Sequence, residues 1–167
     1  MSSPATIRRA SASDAARIAS LIEQHVASGT LLPRTAEFIA ERAIDFLVAV
    51  VGGRVVGCVH LEEYSPSLAE VRSIAVDAPY QGRGIGAALV NAIEGLARRR
   101  EYRTLFAVSN NDAFFRSRGY LPREIPELSR ERSEVTRFKG VYAKDVQRSG
   151  GAAAADGSRS SSPRDPP

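Results

Sequence analysis

The chain has 167 residues, 43% hydrophobic and 25% charged, which is the composition of an ordinary globular domain and not of a membrane bundle or a disordered chain. Its length is expected to give one compact domain with a short appendage, and no second catalytic or regulatory domain. The net charge is +4, carried by 23 cations against 19 acids, and 21 of the cations are arginine. A guanidinium pairs bidentately with phosphates and carboxylates, which would suit an anionic ligand, although genomic composition produces the same skew.

Met1 to Asp14 is polar and the chain holds no run of about 20 apolar residues, so neither a secretory signal nor a membrane span is expected, and the expected compartment is the cytoplasm. One cysteine, Cys58, cannot form an internal disulfide, and with only His25 and His60 there is no Cys/His set for a zinc site. No metal is expected. The clusters Arg8-Arg9 and Arg98-Arg99-Arg100 lack interleaved aromatics and read as solvated element ends, which argues against nucleic acid as a partner.

Thr6 to Arg9 reads as a first strand. Ser11 to Asp14 supplies capping residues for a helix with an apolar stripe at Ile18, Leu21, Ile22 and Val26. After the loop Leu31-Leu32-Pro33-Arg34, Thr35 opens a short helix carrying Phe38 and Ile39. Phe46 to Val51 and Arg54 to Leu61 are β-rich runs on either side of Gly52-Gly53, the pattern of a hairpin. Glu70 to Val76 alternates polar and apolar residues as a half-exposed fourth strand does. The run Gln81-Gly82-Arg83-Gly84-Ile85-Gly86 then leads into a helix with its stripe at Leu89, Val90, Ile93, Leu96 and Ala97. Thr104 to Ser109 is a further strand, Asp112 to Arg118 a short helix ended by Gly119, and Val135 to Val146 a last strand. Gln147 to Pro167 has no bulky apolar residue to bury and is expected to be disordered, leaving residues 1–146 as the domain. The order β-α-α-β-β-β-α-β-α-β-β gives an α/β (α+β) fold, a mixed sheet with helices on both faces.

Strand, glycine loop and helix form a layout that suits a phosphate: unhindered backbone N–H groups converge at the positive end of a helix dipole. A Walker loop is excluded because no lysine precedes Lys139. Gly82 to Ala87 matches G-x-G-x-x-A, but Asp77 to Gln81 separate the strand from the first glycine, unlike a dinucleotide fold. The whole string from Ile74 to Leu89, IAVDAPYQGRGIGAAL, resembles the acetyl-CoA motif of the GCN5-related N-acetyltransferase (GNAT) family, Q/R-x-x-G-x-G/A after a strand. The element order from Ile7 to Val146 is similar to that family's too. The resemblance implies a mostly antiparallel sheet with acetyl-CoA as cosubstrate in a cleft between strands 4 and 5. Gln81, Gly82, Arg83, Gly84, Ile85, Gly86 and Ala87 would hold the pyrophosphate, and Ile74, Ala75 and Val76 would line the pantetheine and thioester. Sheet-edge pairing is common in such proteins, so a homodimer is among the expected states.

Acetyl transfer to an amine needs a neutral amine, a polarised carbonyl and an exit for the thiolate. Glu70, at the start of the fourth strand, is the candidate general base, with a solvent-facing residue paired to Arg72 or another arginine as the alternative. A backbone N–H near Val76 would polarise the thioester oxygen. Where many family members place a proton-donating tyrosine, this chain has Phe115. Ser109 is the candidate to replace it, or no acid is needed, since a thiol of pKa about 8.5 leaves tolerably alone. Phe114 and Phe115 read most simply as core residues flanking the CoA thiol.

Gly29 to Arg34, Glu70 to Val76 and Arg137 to Val146 also resemble the acetyltransferase part of bacterial N-acetylglutamate synthases. That likeness implies a free amino acid, glutamate foremost, as the acceptor, in arginine biosynthesis. Arg34, Arg72 and Arg137 would then be forks for its carboxylates, each with an ordinary structural role as the alternative. Such synthases also carry an amino-acid-kinase domain, which this sequence does not supply, so a stand-alone form is expected. Pro122 to Glu134 is either a mobile cover for the substrate or a plain connector. Other amines (a protein N-terminus, a polyamine, an aminoglycoside) and a non-catalytic CoA-binding module are the competing readings.

Overall fold

The β-rich runs on either side of Gly52-Gly53 pair as an antiparallel hairpin, β2 (Phe46–Val51) and β3 (Arg54–Ser65). Both turn glycines take positive φ, 55° and 77°, which a side chain would resist. In the computed structural model, which describes residues 3–128 and 139–147, this hairpin supplies the second and third strands of a seven-stranded sheet. β1 (Thr6–Arg9) pairs with β2 at one edge, and β4 (Leu68–Val76) pairs antiparallel with β3. β5 (Thr104–Ser109), β7 (Gly140–Asp145) and the two-residue β6 (Leu121–Pro122) complete the order β1-β2-β3-β4-β5-β7-β6. Every pairing is antiparallel except β4 with β5.

The helices divide between the faces as the apolar stripes require. α1 (Ala15–Val26) and α2 (Ala36–Glu41) cover one face, where Ile18, Leu21, Ile22 and Ile39 are fully buried against Phe46, Val48 and Cys58. Each such side chain removed from water contributes about 1.5–3 kcal/mol. Ser11 N donates to Asp14 Oδ2 at 2.8 Å ahead of α1, and Thr35 Oγ1 accepts from Phe38 N at 3.1 Å to cap α2. α3 (Ile85–Arg99) covers the other face through Leu89, Val90, Ile93 and Leu96, with Phe115 of α4 (Asp112–Ser117) in the same cluster. On that face Lys144 Nζ lies 3.0 and 3.1 Å from the two oxygens of buried Glu94, to which Tyr120 also donates at 3.2 Å. This closed polar set ties β7 to α3 and satisfies a carboxylate that burial would otherwise penalise.

The element order and the two-faced sheet agree with the sequence expectation. Three local expectations need correction. β4 is not half-exposed: most of it is buried, Glu70 at 3% exposure, because helices lie on both sides of the central strands. Arg98 and Arg100 are not simply solvated ends. Arg100 pairs with Asp45 at 2.6 Å and with the carbonyl of Ile44, and Arg98 reaches the carbonyl of Val146. Gly140 opens the last strand and does not lie inside it. The earlier part of that strand, Arg137, most of the second half of the segment from Pro122 to Glu134 and the tail from residue 148 lie outside the described residues.

Candidate active site

β4 and β5 run parallel for only three residues, Leu68–Glu70 beside Thr104–Phe106, and then part. Beyond that point β4 stays with β3 and β5 stays with β7. The inner edges of both strands therefore present backbone polar groups to a wedge-shaped gap, and such groups need partners. Ser73 helps open the gap. It sits in left-handed geometry (φ 53°), at the register shift between Cys58 and His60 on β3, and its carbonyl accepts a hydrogen bond from Cys58 Sγ at 3.3 Å. A non-glycine residue there is a costly conformation that the surrounding strands must hold. Burial pushes the Cys58 thiol up to about 12, so it stays a neutral donor.

The gap is a cleft of about 280 Å³, lined on the β4 side by Glu70 to Ile74 and on the other by Val108, Ser109, Asn111, Phe114 and Phe115. At one end lies the glycine loop. Gly82 and Gly84 have φ of 75° and 79°, and a Cβ on either would meet nothing within 4 Å, so these glycines serve backbone conformation and not close packing. Gly84 caps α3, whose first turn has no acidic residue. Gln81 to Gly84 are exposed, and the N-terminal dipole end of a 15-residue helix is open to an anion. The loop is anchored from behind. Gln81 Nε2 donates to the Val76 carbonyl at 3.1 Å, and His25 Nε2 lies 3.3 Å from the same oxygen. Asp77, buried, accepts from Gln24 at 3.0 Å and from Arg17 at 2.8 Å, and these partners hold its carboxyl below the usual range. Arg83 stands over the Tyr80 ring at 5.1 Å. Strand edge, wedge and helix end thus fit an elongated ligand with amides in its middle and phosphates at one end, which is the shape and chemistry of CoA.

At the other end the cleft is lined by Thr30, Leu31, Leu32, Arg34, Arg72 and Lys139. Glu70 is at its floor, with Arg72 Nε 3.8 Å from Oε2. Glu70 is buried and so does not face solvent, but the pairing with Arg72 that its alternative reading called for is present at 3.8 Å. Arg72 makes its tighter pair with Glu62 on β3, the residue directly opposite Glu70. Arg34, half-buried, lies over Phe38 with its Cζ 5.1 Å from the ring centroid. Lys139 spans the mouth, its Nζ 3.4 Å from the Thr30 carbonyl. Ser109 Oγ accepts from Asn111 N at 2.9 Å, which leaves its proton for another acceptor, and Asn111 Oδ1 caps α4. Phe115 is 6% exposed, edge-on to Phe114 and Tyr120. Of the residues picked from the sequence, the cleft brings together Glu70, Arg72, Ile74, Gly86, Ser109, Arg34 and Phe115. Ala75 is buried toward α1, away from it.

The sequence reading missed Ser73, Lys139, Thr30 and Glu62 as parts of this site. The serine's positive φ has no signature in residue type. Lys139 was within reach of inference, as a cation two residues from Arg137. Among the described residues no three His, Cys, Asp or Glu side chains gather to hold a metal ion, and no helix is long and apolar enough to cross a membrane.

A sheet that parts between its fourth and fifth strands, with a glycine loop capping a helix at the parting, defines an acetyl-CoA-dependent transferase, and residues 16–120 match the acetyltransferase (GNAT) family. The chain belongs to that family and is an N-acetyltransferase with acetyl-CoA as its cosubstrate. It is 35% identical over 114 residues to an uncharacterized N-acetyltransferase of Chlorobaculum tepidum, covering 68% of this chain and 74% of that one. It is 32% identical over 117 residues to the amino-acid acetyltransferase of Mycobacterium tuberculosis, covering 68% and 67%. Among solved structures it is similar to N-acetylglutamate synthase from Neisseria gonorrhoeae complexed with coenzyme A and N-acetyl-glutamate. The TM-score is 0.78 at 27% identity, over 87% of this chain and 36% of that one. The amino-acid acetyltransferase of Pseudomonas putida is likewise matched over 31% of its length, at 29% identity.

Proposed function

We propose that this acetyltransferase acts on the α-amino group of a free acidic amino acid, glutamate foremost, as the first committed step toward arginine, in the cytoplasm where acetyl-CoA and free amino acids meet. The observation that carries the reading is the charge pattern of the acceptor end. Among the described residues Arg34, Arg72 and Lys139 line it beside the Glu70 carboxylate, with Glu62 paired to Arg72. Two carboxylates on an acceptor suit that surface, and a polyamine or an aminoglycoside, rich in ammonium groups, does not. The likeness to enzymes named amino-acid acetyltransferases supports the same choice.

In this reading Gln81 to Ala87 hold the pyrophosphate, and the parted edge of β4 from Ile74 to Val76 pairs with the pantetheine amides. Acetyl-CoA, when bound, supplies a thioester carbonyl open to attack. Glu70 takes the proton from the acceptor ammonium, directly or through a water, which makes the nitrogen lone pair available. A backbone N–H near Val76 polarises the carbonyl oxygen. Ser109, with its proton uncommitted to Asn111, is the donor available to the leaving sulfur. Phe114 and Phe115 exclude water from that side. Arg34 and Arg137 hold the acceptor carboxylates, and Lys139 joins them from across the mouth. The domain spans residues 1–146, and the segment from 147 onward is dispensable for turnover.

Incubating the protein with acetyl-CoA and each of glutamate, spermidine, an aminoglycoside and a short peptide with a free N-terminus, and following free thiol, tests this directly. Glutamate is expected to give the fastest release. Faster release with any of the other amines overturns the acceptor assignment.

A further inference from the structure

Polar side chains of α1 converge on one point of the sheet, the end of β4. Arg17 donates to Asp77 Oδ2 at 2.8 Å and Gln24 to Oδ1 at 3.0 Å, while His25 Nε2 lies 3.3 Å from the Val76 carbonyl. A carbonyl only accepts, so Nε2 is the nitrogen that carries the proton in this contact. Asp77 N donates across the ladder to the Val56 carbonyl at 2.8 Å, and successive residues of an antiparallel strand turn their polar groups to opposite edges. The Val76 carbonyl therefore faces the edge of β4 that has parted from β5, and the His25 ring meets it there.

The same residue closes α1. Gly29, at φ 73°, lets the chain reverse, so that Gly29 N donates to the Val26 carbonyl at 2.9 Å and Thr30 N to the His25 carbonyl at 3.2 Å, the paired bonds of a Schellman closure. Leu31 N at 3.2 Å and Ser28 Oγ at 3.1 Å donate to that same carbonyl. Thr30, Leu31 and Leu32 are the lip of the cleft, and Lys139 Nζ meets the Thr30 carbonyl from across the mouth. Arg17 and Gln24 fix the helix to the sheet. Of the three, His25 is the one whose main chain takes the N–H groups of the lip.

With Thr30 to Arg34 read as part of the acceptor end, on which this inference rests, we propose that His25 is a positioning residue for the acceptor. It sets the distance between the lip and the β4 edge beside which the thioester lies. His25 does not itself line the cleft, so it acts through the lip. Productive attack needs the reacting atoms about 3–3.5 Å apart, and a lip displaced along the cleft spoils that approach. The β4 edge has a second support, because Gln81 Nε2 donates to the same Val76 carbonyl at 3.1 Å. Loss of the imidazole leaves that carbonyl paired and the lip free to shift, so the acceptor end suffers and the CoA end does not.

The test compares His25→Leu, His25→Gln and Gly29→Ala with Ile18→Val as a control for stability alone. Acceptor KM is measured with whichever amine of the panel turns over fastest, and acetyl-CoA affinity by isothermal titration. His25→Leu should raise acceptor KM about threefold to tenfold, the worth of one hydrogen bond, and leave acetyl-CoA affinity within about twofold. His25→Gln, whose amide can donate to the same carbonyl, should restore most of the loss. Gly29→Ala should raise acceptor KM as well, since an added Cβ meets nothing within 4 Å and only the left-handed backbone is strained. Ile18→Val, in the core beneath α1, should lower Tm and leave both constants as they are. The proposal is overturned if His25→Leu weakens acetyl-CoA as much as the acceptor, if His25→Gln is no better than His25→Leu, or if Ile18→Val raises acceptor KM comparably. Arg34→Ala separates this inference from the reading beneath it. An acceptor KM that responds to Arg34→Ala and not to His25→Leu overturns the inference alone, whereas one that responds to neither removes the acceptor end itself, and the inference with it.

Discussion

The two ends of the cleft are built from different materials. The end proposed to hold CoA is made of backbone: glycines at positive φ, a helix N-terminus and a strand edge that parts from its neighbour, fixed from behind by Asp77, Gln81 and His25. The acceptor end is made of side chains drawn from the loop before α2, from β4 and from the approach to β7. Backbone chemistry is the same for every member of a family that binds the same cosubstrate, whereas side-chain chemistry can be rewritten for each acceptor. The comparison teaches that cosubstrate and acceptor should fail separately when either end is damaged.

The largest expected effect is at the junction. Glu70→Gln should lower kcat by about 10²–10⁴, the usual worth of a positioned base, while isothermal titration shows acetyl-CoA binding unchanged. Next comes the backbone end. Gly84→Val forces a β-branched residue into left-handed geometry, and a cost of about 1–3 kcal/mol should appear as a tenfold to hundredfold rise in KM for acetyl-CoA. Acceptor KM should hardly move. Arg34→Ala should do the reverse, raising acceptor KM about tenfold through the loss of one charge-assisted contact and leaving the acetyl-CoA KM alone. If either variant raises both constants equally, the two ends are not separable.

A smaller effect reports on the packing under the acceptor end. His60 is buried neutral, and burial pushes its pKa down to about 4 from the ordinary histidine value of 6.5. An unfolded chain takes up that proton near 6.5 and the folded one only near 4, so stability is full above 6.5 and is lost as pH falls from there through 4. Denaturant melts should show a loss of roughly 3 kcal/mol across that window, absent in His60→Leu. The smallest effect is none at all: ending the chain after Gln147 should leave kcat and both KM values as they are.

The same division explains how much the sequence revealed. Glycine spacing writes backbone geometry directly into residue type, so the loop from Gln81 to Ala87 and its helix could be placed from the string alone. The hairpin at Gly52-Gly53 was legible for the same reason. Ser73 adopts a left-handed conformation that nothing in its type announces, because the neighbouring strands impose it. The buried state of Glu70 was equally hidden, since alternation along β4 does not say that α1 and α2 cover its polar face. The pairing of Arg72 with Glu62 depends on cross-strand register, which a bulge beside Ser73 sets. Arg137 was legible only through the resemblance of its segment to the synthases, and it lies outside the described residues.

The central claim is that the acceptor end selects for negative charge. The direct measurement is the ratio of kcat/KM for L-glutamate to that for L-glutamine, an acceptor of the same shape with one carboxylate neutralised. A ratio of about ten or more, the worth of one charge-assisted contact, that falls toward one in Arg34→Ala is the result the account predicts. A ratio near one in the wild type, or a preference for glutamine, would contradict it.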